Sequence, residues 1–183
     1  MYIVLKREIT GSVLDVGGGG EGVIGRVYKE QVTAIDNEQQ ELDEAPDCCR
    51  KVLMDARNLE FQNESFDNAT AFYSFMYMST DTKEKALYEI SRVLKPGGRL
   101  YIWDAEVADA EREPFLADLY IDAAGEKIET TYGIMGDDIA QSAEYFIRLC
   151  SEKGFSLLEK SEHGGHFHLV FEKTHQANSG GKK

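Results

Sequence analysis

Five of the six residues from Gly17 to Gly22 are glycine, and they directly follow the apolar segment Val13 to Val16. Glycine lets a backbone turn tightly and approach a flat ligand closely, at positions where a Cβ would collide. A helix-compatible segment over residues 23–29 comes next. A strand, a glycine-rich loop and a helix in this order predict a loop that holds a nucleotide-like ligand.

Composition narrows the classes of protein to consider. The 183 residues are enough for one domain with a substantial core. The formal net charge of −13 argues against a nucleic-acid partner, because phosphate binding needs clustered cations. No segment has the roughly 20 apolar residues of a membrane span, and no signal pattern is present. Two of the three cysteines, Cys48 and Cys49, are adjacent. An odd count of this kind predicts a reducing, cytoplasmic setting without disulfides.

Short β-rich segments alternate with helical ones through the first 103 residues. This alternation is typical of a doubly wound α/β fold, a mostly parallel sheet with helices on both faces. The predicted strands are 12–16, 31–35, 51–54, 66–73 and 99–103, and the longer predicted helices are 21–29 and 81–94.

The pattern changes after Asp104. Residues 105–136 are charged, and the spacing of apolar residues over 115–121 is helical. We therefore expect an inserted helix and loop that covers one end of the sheet and the substrate. A long amphipathic helix is predicted over 137–153.

The last two predicted strands, 155–160 and 166–173, are separated by a short loop that contains Gly164 and Gly165. A parallel crossover needs a longer connection, so this pair is predicted to be an antiparallel hairpin. Residues 1–173 are predicted to form a single domain. The polar, glycine-containing residues 174–183 are predicted to be a disordered tail.

Three successive strands are predicted to end in a carboxylate, at Asp15, Asp36 and Asp55. Ligands of open parallel sheets lie beyond these strand ends. The spacing of Gly17, Gly19 and Gly22 also occurs in dinucleotide-binding loops, but a carboxylate beside the loop repels a pyrophosphate. It favours a cationic ligand. S-adenosylmethionine fits, because it has an ammonium, a sulfonium, a ribose for Asp36 and an adenine amine for Asp55.

The same residues resemble class I S-adenosylmethionine-dependent methyltransferases of the small-domain type, similar to ubiquinone-pathway C-methyltransferases. Four motifs carry the resemblance in order, between about Ser12 and Trp103. They are residues 13–19, the segment closed by Asp36, residues 55–61 followed by 65–67, and Glu89 with residues 92–98. The resemblance implies a Rossmann-like methyltransferase fold, a mostly parallel seven-stranded sheet whose last strand is antiparallel. The sequence departs from the family pattern at Glu21, where a glycine is usual.

The resemblance also implies roles for individual residues. Asp15 and the loop glycines would hold the methionine part, Asp36 the ribose, and Asp55 with Ala56 the adenine, while Tyr73 would lie near the sulfonium. The predicted cofactor site is Asp15, Gly17, Gly18, Gly19, Asp36, Asn37, Asp55, Ala56 and Tyr73.

The predicted reaction is transfer of a methyl group to a small-molecule acceptor, with release of S-adenosylhomocysteine. Proximity and alignment would supply most of the catalysis, and Tyr73 and His166 are the candidate bases. His163, His166 and His168 allow a metal site, but no carboxylate or cysteine partner has ligand spacing, so none is predicted. Two alternatives stay open: an NAD-dependent oxidoreductase, and a non-catalytic module that binds S-adenosylmethionine. The absence of an Asn/Asp-Pro-Pro-aromatic motif favours a small acceptor over DNA or RNA.

Overall fold

The computed structural model describes residues 1–108 and 114–174, which form two β-sheets and four α-helices. The large sheet has seven strands. In spatial order they are β4 (Arg50–Leu53), β3 (Val32–Asp36), β2 (Val13–Val16), β5 (Phe66–Phe72), β6 (Leu94–Ala105), β10 (His166–Lys173) and β9 (Phe155–His163). The helices are α1 (Val23–Tyr28), α2 (Gln39–Glu44), α3 (Thr80–Val93) and α4 (Ala143–Glu152). None of the helices within these ranges is long and apolar enough to cross a membrane.

The strand directions confirm the predicted fold class. Strands β4, β3, β2, β5 and β6 are mutually parallel, and β10 is antiparallel to both β6 and β9. The chain turns between β9 and β10 at Gly164 and Gly165, both of which have a positive φ. Strand β2 lies between β3 and β5. The chain therefore adds β3 and β4 on one side of β2 and β5 and β6 on the other side. This arrangement opens a crevice at the carboxyl end of β2.

Alternate residues of the strands pack against different layers, because successive side chains point to opposite faces of a sheet. Leu100 and Ile102 of β6 belong to the cluster with α3 and α4, whereas Tyr101 and Trp103 join the cluster formed with α1. The first face is therefore covered by α3 and α4, together with part of the segment between β4 and β5. The second face is partly covered by the additional sheet.

This additional sheet consists of β1 (Tyr2–Leu5), β7 (Phe115–Ala123) and β8 (Glu126–Ile134), in the order β1-β7-β8. The helix predicted over 115–121 is therefore wrong. Burial in β7 alternates strictly, with Ala117, Leu119 and Ile121 buried and the residues between them more exposed. That period of two is a strand signal, and it outweighs the weaker helical spacing. Strand β1 had no sequence-based prediction.

Two other boundaries differ from the sequence prediction. Strand β6 begins at Leu94, so it includes residues 95–98, which lie between the predicted helix 81–94 and the predicted strand 99–103. Helix α4 begins at Ala143 rather than near residue 137, because Ser142 caps its N-terminus by accepting a hydrogen bond from the Tyr145 N–H. Residues 109–113 of the predicted insert and 175–183 of the predicted tail lie outside the described residues.

Candidate functional site

The glycine loop turns over the end of β3. The N–H groups of Gly17 and Gly18 both donate to the carbonyl of Ile35, at 2.9 and 3.0 Å. Gly17 has a φ of 70°, which is strained for any residue with a Cβ. A Cβ at Gly17 would also overlap the side chain of Ser74. The loop is thus fixed by its contacts with β3 and with the segment after β5.

Protein groups, rather than open space for a ligand, occupy the positions where the next two glycines would carry a Cβ. A Cβ at Gly18 would lie 2.5 Å from Oδ2 of Asp15, and one at Gly19 would lie 2.9 Å from Oδ2 of Asp36. The sequence analysis explained these glycines by the close approach of a ligand. The structure shows that close packing on two carboxylates already requires them.

A cavity of about 480 Å³ opens at the carboxyl end of β2, where the topology places the crevice. We call it the cofactor cavity. It is lined by Gly17, Gly19, Gly20, Glu21, Asp36, Asn37, Glu38, Glu41, Phe72, Tyr73, Ser74, Tyr77, Met78 and Tyr132. Five of the nine predicted cofactor residues are among them.

The cofactor cavity is strongly acidic. Glu21, Asp36, Glu38 and Glu41 line it, and none of the described lining residues is Lys or Arg. The pKa of Glu41 is raised, first by partial burial and then by repulsion from the neighbouring carboxylates. A cationic ligand would relieve this repulsion, and a phosphate would increase it.

Asp36 is held in place at the end of β3 by the backbone. Its Oδ2 accepts a hydrogen bond from the Gly19 N–H at 3.3 Å, and its Oδ1 accepts one from the Glu38 N–H at 3.0 Å. A carboxylate has about four acceptor positions, so each oxygen retains one for a ligand. This geometry suits two adjacent hydroxyl groups.

Asp15 lies beneath the loop and does not line the cofactor cavity. Its carboxyl is buried, and Oδ1 accepts a hydrogen bond from the Thr70 hydroxyl at 2.7 Å. Burial raises the pKa of Asp15 to about 7, opposed by the Thr70 hydrogen bond and assisted by the charge of Asp36. Direct contact between Asp15 and a ligand therefore remains a prediction. Its observed contacts are with Thr70 and the loop.

The two residues predicted to hold the adenine, Asp55 and Ala56, do not line the cofactor cavity. Asp55 lines a second cavity of about 430 Å³, together with Asn37, which also lines the cofactor cavity. The two cavities therefore meet at Asn37. The carboxylate of Asp55 forms a two-point ion pair with Arg57, whose hydrogen bonds hold the pKa of Asp55 below its usual value. Ala56 lines neither cavity and packs against the main core.

Tyr73 follows β5 and has a φ of 50°, a strained conformation for a non-glycine residue. Its hydroxyl is 2.8 Å from Nδ1 of His166, the first residue of β10. The two candidate bases are thus in direct contact. Burial lowers the pKa of His166, whereas burial and the charge of Asp104 raise the pKa of Tyr73. Both groups are consequently neutral near pH 7.

Glu21, the residue that departs from the family pattern, connects the glycine loop to the additional sheet. Its carboxylate accepts hydrogen bonds from the hydroxyls of Thr130 and Tyr132 on β8, the latter at 2.9 Å. The ring of Tyr132 stacks on Tyr73 with centroids 5.5 Å apart. The hairpin β7–β8 therefore forms one wall of the cofactor cavity. Sequence reasoning missed Tyr132, since only long-range strand placement brings it here.

Replacing Tyr132 with phenylalanine should loosen this wall. The change removes one hydrogen bond to a charged group, and we expect amide exchange in β8 to become about tenfold faster. Hydrogen–deuterium exchange read by mass spectrometry measures this. The control is Tyr120→Phe, which removes an exposed hydroxyl from β7 of the same hairpin. Equal exchange in the two variants would show that the contact with Glu21 does not hold the hairpin.

None of the three histidines belongs to a close group of three or more metal-ligand side chains within the described residues. His166 contacts Tyr73, and His168 stacks on Trp103. The described residues contain one close group of carboxylates, which are exposed: Glu106, Glu144 and Glu162. Lys160 forms ion pairs with two of them, Glu144 and Glu162, and so supplies positive charge to the group. We assign no metal to it.

Comparison with known proteins now decides the family. Residues 14–102 match a family model described as a methyltransferase domain. The chain contains a class I S-adenosylmethionine-dependent methyltransferase domain. The matched region of this domain includes the glycine loop, Asp36, Asp55 and Tyr73, so the resemblance seen in the sequence is confirmed.

Curated relatives of the domain are methyltransferases by name. A sterol 4-C-methyltransferase from Caenorhabditis elegans is 33% identical over 96 residues, covering 52% of this chain and 28% of the relative. An O-methyltransferase from Penicillium expansum is 36% identical over 104 residues, covering 50% of this chain and 37% of the relative. The chain thus spans well under half the length of these relatives.

Solved structures share the fold of the domain. An S-adenosylmethionine-dependent methyltransferase from Mesorhizobium loti has a TM-score of 0.61 and 15% identity, covering 88% of this chain and 90% of that one. The cyclase SpnF has a TM-score of 0.65 and 22% identity, covering 91% of this chain and 77% of that one. A cyclase among the neighbours shows that the fold alone does not define the reaction.

Proposed function

We propose that this chain binds S-adenosylmethionine and transfers its methyl group to a small-molecule acceptor. The observation that carries the proposal is the charge of the cofactor cavity, with four carboxylates and no Lys or Arg among its described lining residues. S-adenosylmethionine is a cationic ligand without phosphates. The donor and acceptor set of this cavity fits it, in agreement with the cofactor of the methyltransferase family.

The residues that would hold the cofactor follow the line of the two adjoining cavities. Asp36 would accept hydrogen bonds from the ribose hydroxyls. Asn37 lines both the cofactor cavity and the second cavity, and Asp55 in the second cavity would contact the adenine. At the other end, the backbone of Gly17 and Gly19 would contact the methionine part. Above about pH 7, where the buried Asp15 carboxyl beneath the loop is ionised, its charge would stabilise the ammonium.

S-adenosylmethionine supplies an electrophilic methyl group on a sulfonium. The chain would contribute alignment and the exclusion of water. Phe72, Tyr73 and Tyr132 form an aromatic wall of the cofactor cavity, and aromatic faces attract a cation such as the sulfonium. We propose Tyr73 and His166 as the residues that receive the acceptor's proton where the acceptor is protonated at neutral pH.

A small-molecule acceptor is supported by the names of the relatives, a sterol methyltransferase and two O-methyltransferases. The net charge of −13 argues against a nucleic acid as the acceptor. We also propose a cytoplasmic setting without a membrane partner, in keeping with the unpaired cysteines Cys48, Cys49 and Cys150.

Calorimetric titration with S-adenosylhomocysteine and with NAD tests the proposal. We expect binding of S-adenosylhomocysteine and none of NAD, because the pyrophosphate of NAD would face the acidic lining. Binding of NAD alone would replace the proposal with an oxidoreductase. Binding of S-adenosylhomocysteine without methylation of any compound in a broad metabolite extract, followed with a labelled methyl donor, would favour the non-catalytic module.

A further inference from the structure

Another cavity shares Tyr73 with the cofactor cavity. Its volume is about 230 Å³, and it lies between β1 and the strands β6, β9 and β10. We call it the Trp103 cavity. It is lined by Met1, Tyr2, Ile3, Tyr73, Trp103, Ser161, Glu162, His163, His166, Phe167 and His168.

Flat rings form much of its surface. Trp103 stacks on His168 with centroids 4.5 Å apart and an interplanar angle of 10°, and it also stacks on Tyr101. Burial lowers the pKa of His168 to about 4, so this ring is neutral at physiological pH. The aromatic side chains of Tyr2, Tyr73 and Trp103 also line the cavity, so its surface suits an aromatic molecule.

The charge and size of the Trp103 cavity limit its occupant further. None of the described lining residues is Lys or Arg, and Glu162 contributes a carboxylate. The ammonium of Met1 also borders the cavity and donates a hydrogen bond to the carbonyl of Asp118. A phosphate or carboxylate group would have no side-chain cation to pair with there. The volume is below that of most pockets for drug-sized ligands, which favours a molecule with one small ring system.

Tyr73 is the only residue that lines both the cofactor cavity and the Trp103 cavity as they are described. Its ring stacks on Tyr132 in the first, and its hydroxyl contacts His166 in the second. A group bound beside this hydroxyl would lie between the two cavities. This is where an acceptor must meet a methyl donor.

We propose that the Trp103 cavity binds the acceptor, a neutral molecule with an aromatic ring and a hydroxyl, and that Tyr73 and His166 relay its proton. The proposal rests on the methyl transfer proposed above and specifies its acceptor. Tyr73 is the catalytic residue, because its hydroxyl would touch the reacting oxygen. His166 acts through Tyr73.

The proton and bond changes balance within this arrangement. The acceptor hydroxyl gives its proton to the Tyr73 oxygen while the Tyr73 hydroxyl gives its own proton to Nδ1 of His166, which becomes an imidazolium. The acceptor oxygen forms a bond to the methyl group as the sulfur–methyl bond breaks. The sulfonium leaves as the neutral thioether S-adenosylhomocysteine, so one positive charge moves from sulfur to His166.

The sole tryptophan of the chain reports directly on this cavity, since Trp103 is the only one. We expect 4-propylphenol to change the tryptophan fluorescence of the protein saturated with S-adenosylhomocysteine, and to bind more tightly than propylbenzene. One net hydrogen bond to the hydroxyl should make the affinity for 4-propylphenol about fivefold higher than the affinity for propylbenzene. An unchanged fluorescence, or equal affinity of the two probes, would overturn the proposal.

Tyr73→Phe keeps the ring and removes the relay hydroxyl. We expect it to abolish the preference for 4-propylphenol and to slow methylation of that probe at least about 100-fold. The matched control is Tyr88→Phe, which changes an exposed tyrosine on α3 and should keep both binding of S-adenosylhomocysteine and methylation within about twofold. Retention of the phenol preference or of full methylation in Tyr73→Phe would contradict the relay.

His166→Ala separates proton transfer from structure. Added imidazole should restore methylation of 4-propylphenol in this variant, because it can occupy the space of the lost ring, whereas Tyr73→Phe should not respond. No rescue would overturn the role of His166. Failure of S-adenosylhomocysteine to bind the unaltered protein would instead contradict the proposed function, so the two failures are distinguishable.

Discussion

Replacing Asp36 with alanine should weaken the binding of S-adenosylhomocysteine about 100-fold, equivalent to about 2.7 kcal/mol. The carboxylate would accept two hydrogen bonds from the ribose, and hydrogen bonds to a charged group contribute more than neutral ones. The backbone N–H groups of Gly19 and Glu38 fix both oxygens in advance, so little ordering cost opposes binding. Calorimetric titration gives the affinity.

A matched pair of ligands separates ribose recognition from damage to the loop. The 2′,3′-dideoxy analogue of S-adenosylhomocysteine should bind the unaltered protein almost as weakly as S-adenosylhomocysteine binds Asp36→Ala. The dideoxy analogue should bind Asp36→Ala only slightly more weakly than it binds the unaltered protein, because the hydrogen bonds are already lost. Asp43→Ala changes an exposed acid on α2 that contacts Gln39, and it should leave the affinity within about twofold. Additive losses would mean that Asp36 acts only by shaping the loop.

Replacing Asp15 with asparagine should stabilise the protein relative to the unaltered chain by an amount that grows as pH rises from about 4 to about 7. The buried carboxyl of Asp15 has its pKa raised to about 7 from a usual value of 3.8. A shift of this size corresponds to about 4 kcal/mol of differential stability, as an order of magnitude. Asparagine is uncharged and similar in shape, so it avoids the cost of ionising a buried group.

The direction follows from proton binding. Between pH 4 and 7 the folded state retains a proton on Asp15 that the unfolded state has lost, so the free energy of unfolding falls with rising pH. Asp104, also buried and with a pKa of about 7, acts in the same direction. His168, whose pKa is lowered to about 4, acts in the opposite direction below pH 6.5. The total curve therefore mixes these contributions.

Comparing Asp15→Asn with the unaltered protein isolates the first contribution. Urea unfolding of the variants and the unaltered protein at a series of pH values from 2 to 8 measures it. Asp67→Asn is a control of opposite sign, because hydrogen bonds from Lys95 and Ser12 hold the pKa of Asp67 at about 2. Its variant should lose stability relative to the unaltered protein as pH rises from 2 to 4. A pH-independent difference for Asp15→Asn would mean that this carboxyl ionises normally.

Much of the large sheet could be predicted because its signals are local. Short apolar segments before Gly17 and Asp36 end at turn residues or carboxylates, and the two-glycine turn at Gly164 requires an antiparallel hairpin. The additional sheet was predicted incorrectly. The spacing of a few apolar residues over 115–121 predicts a helix. The period-two burial of Ala117, Leu119 and Ile121 instead fits a strand.

Some residues of the candidate site could likewise be predicted from local signals, and others could not. Residues at or directly after the ends of strands, such as Gly17, Asp36 and Tyr73, could be placed from their order in the chain, since parallel strands end at one edge of the sheet. Asp15 belongs to the same motif, yet the structure buries it under Gly18, with Thr70 as its hydrogen-bond partner. Sequence position gives the strand end, but side-chain direction depends on which face the neighbouring layer covers.

The sequence by itself determined the fold class, the methyltransferase family and the acidic character expected of the cofactor site, because these depend on motifs a few residues long. Only the tertiary structure decided that Glu21 binds Tyr132 and that Tyr73 meets His166 across 93 positions of the chain. Such pairs form only when distant strands are brought into register by burial of the layers between them. No local pattern encodes that register.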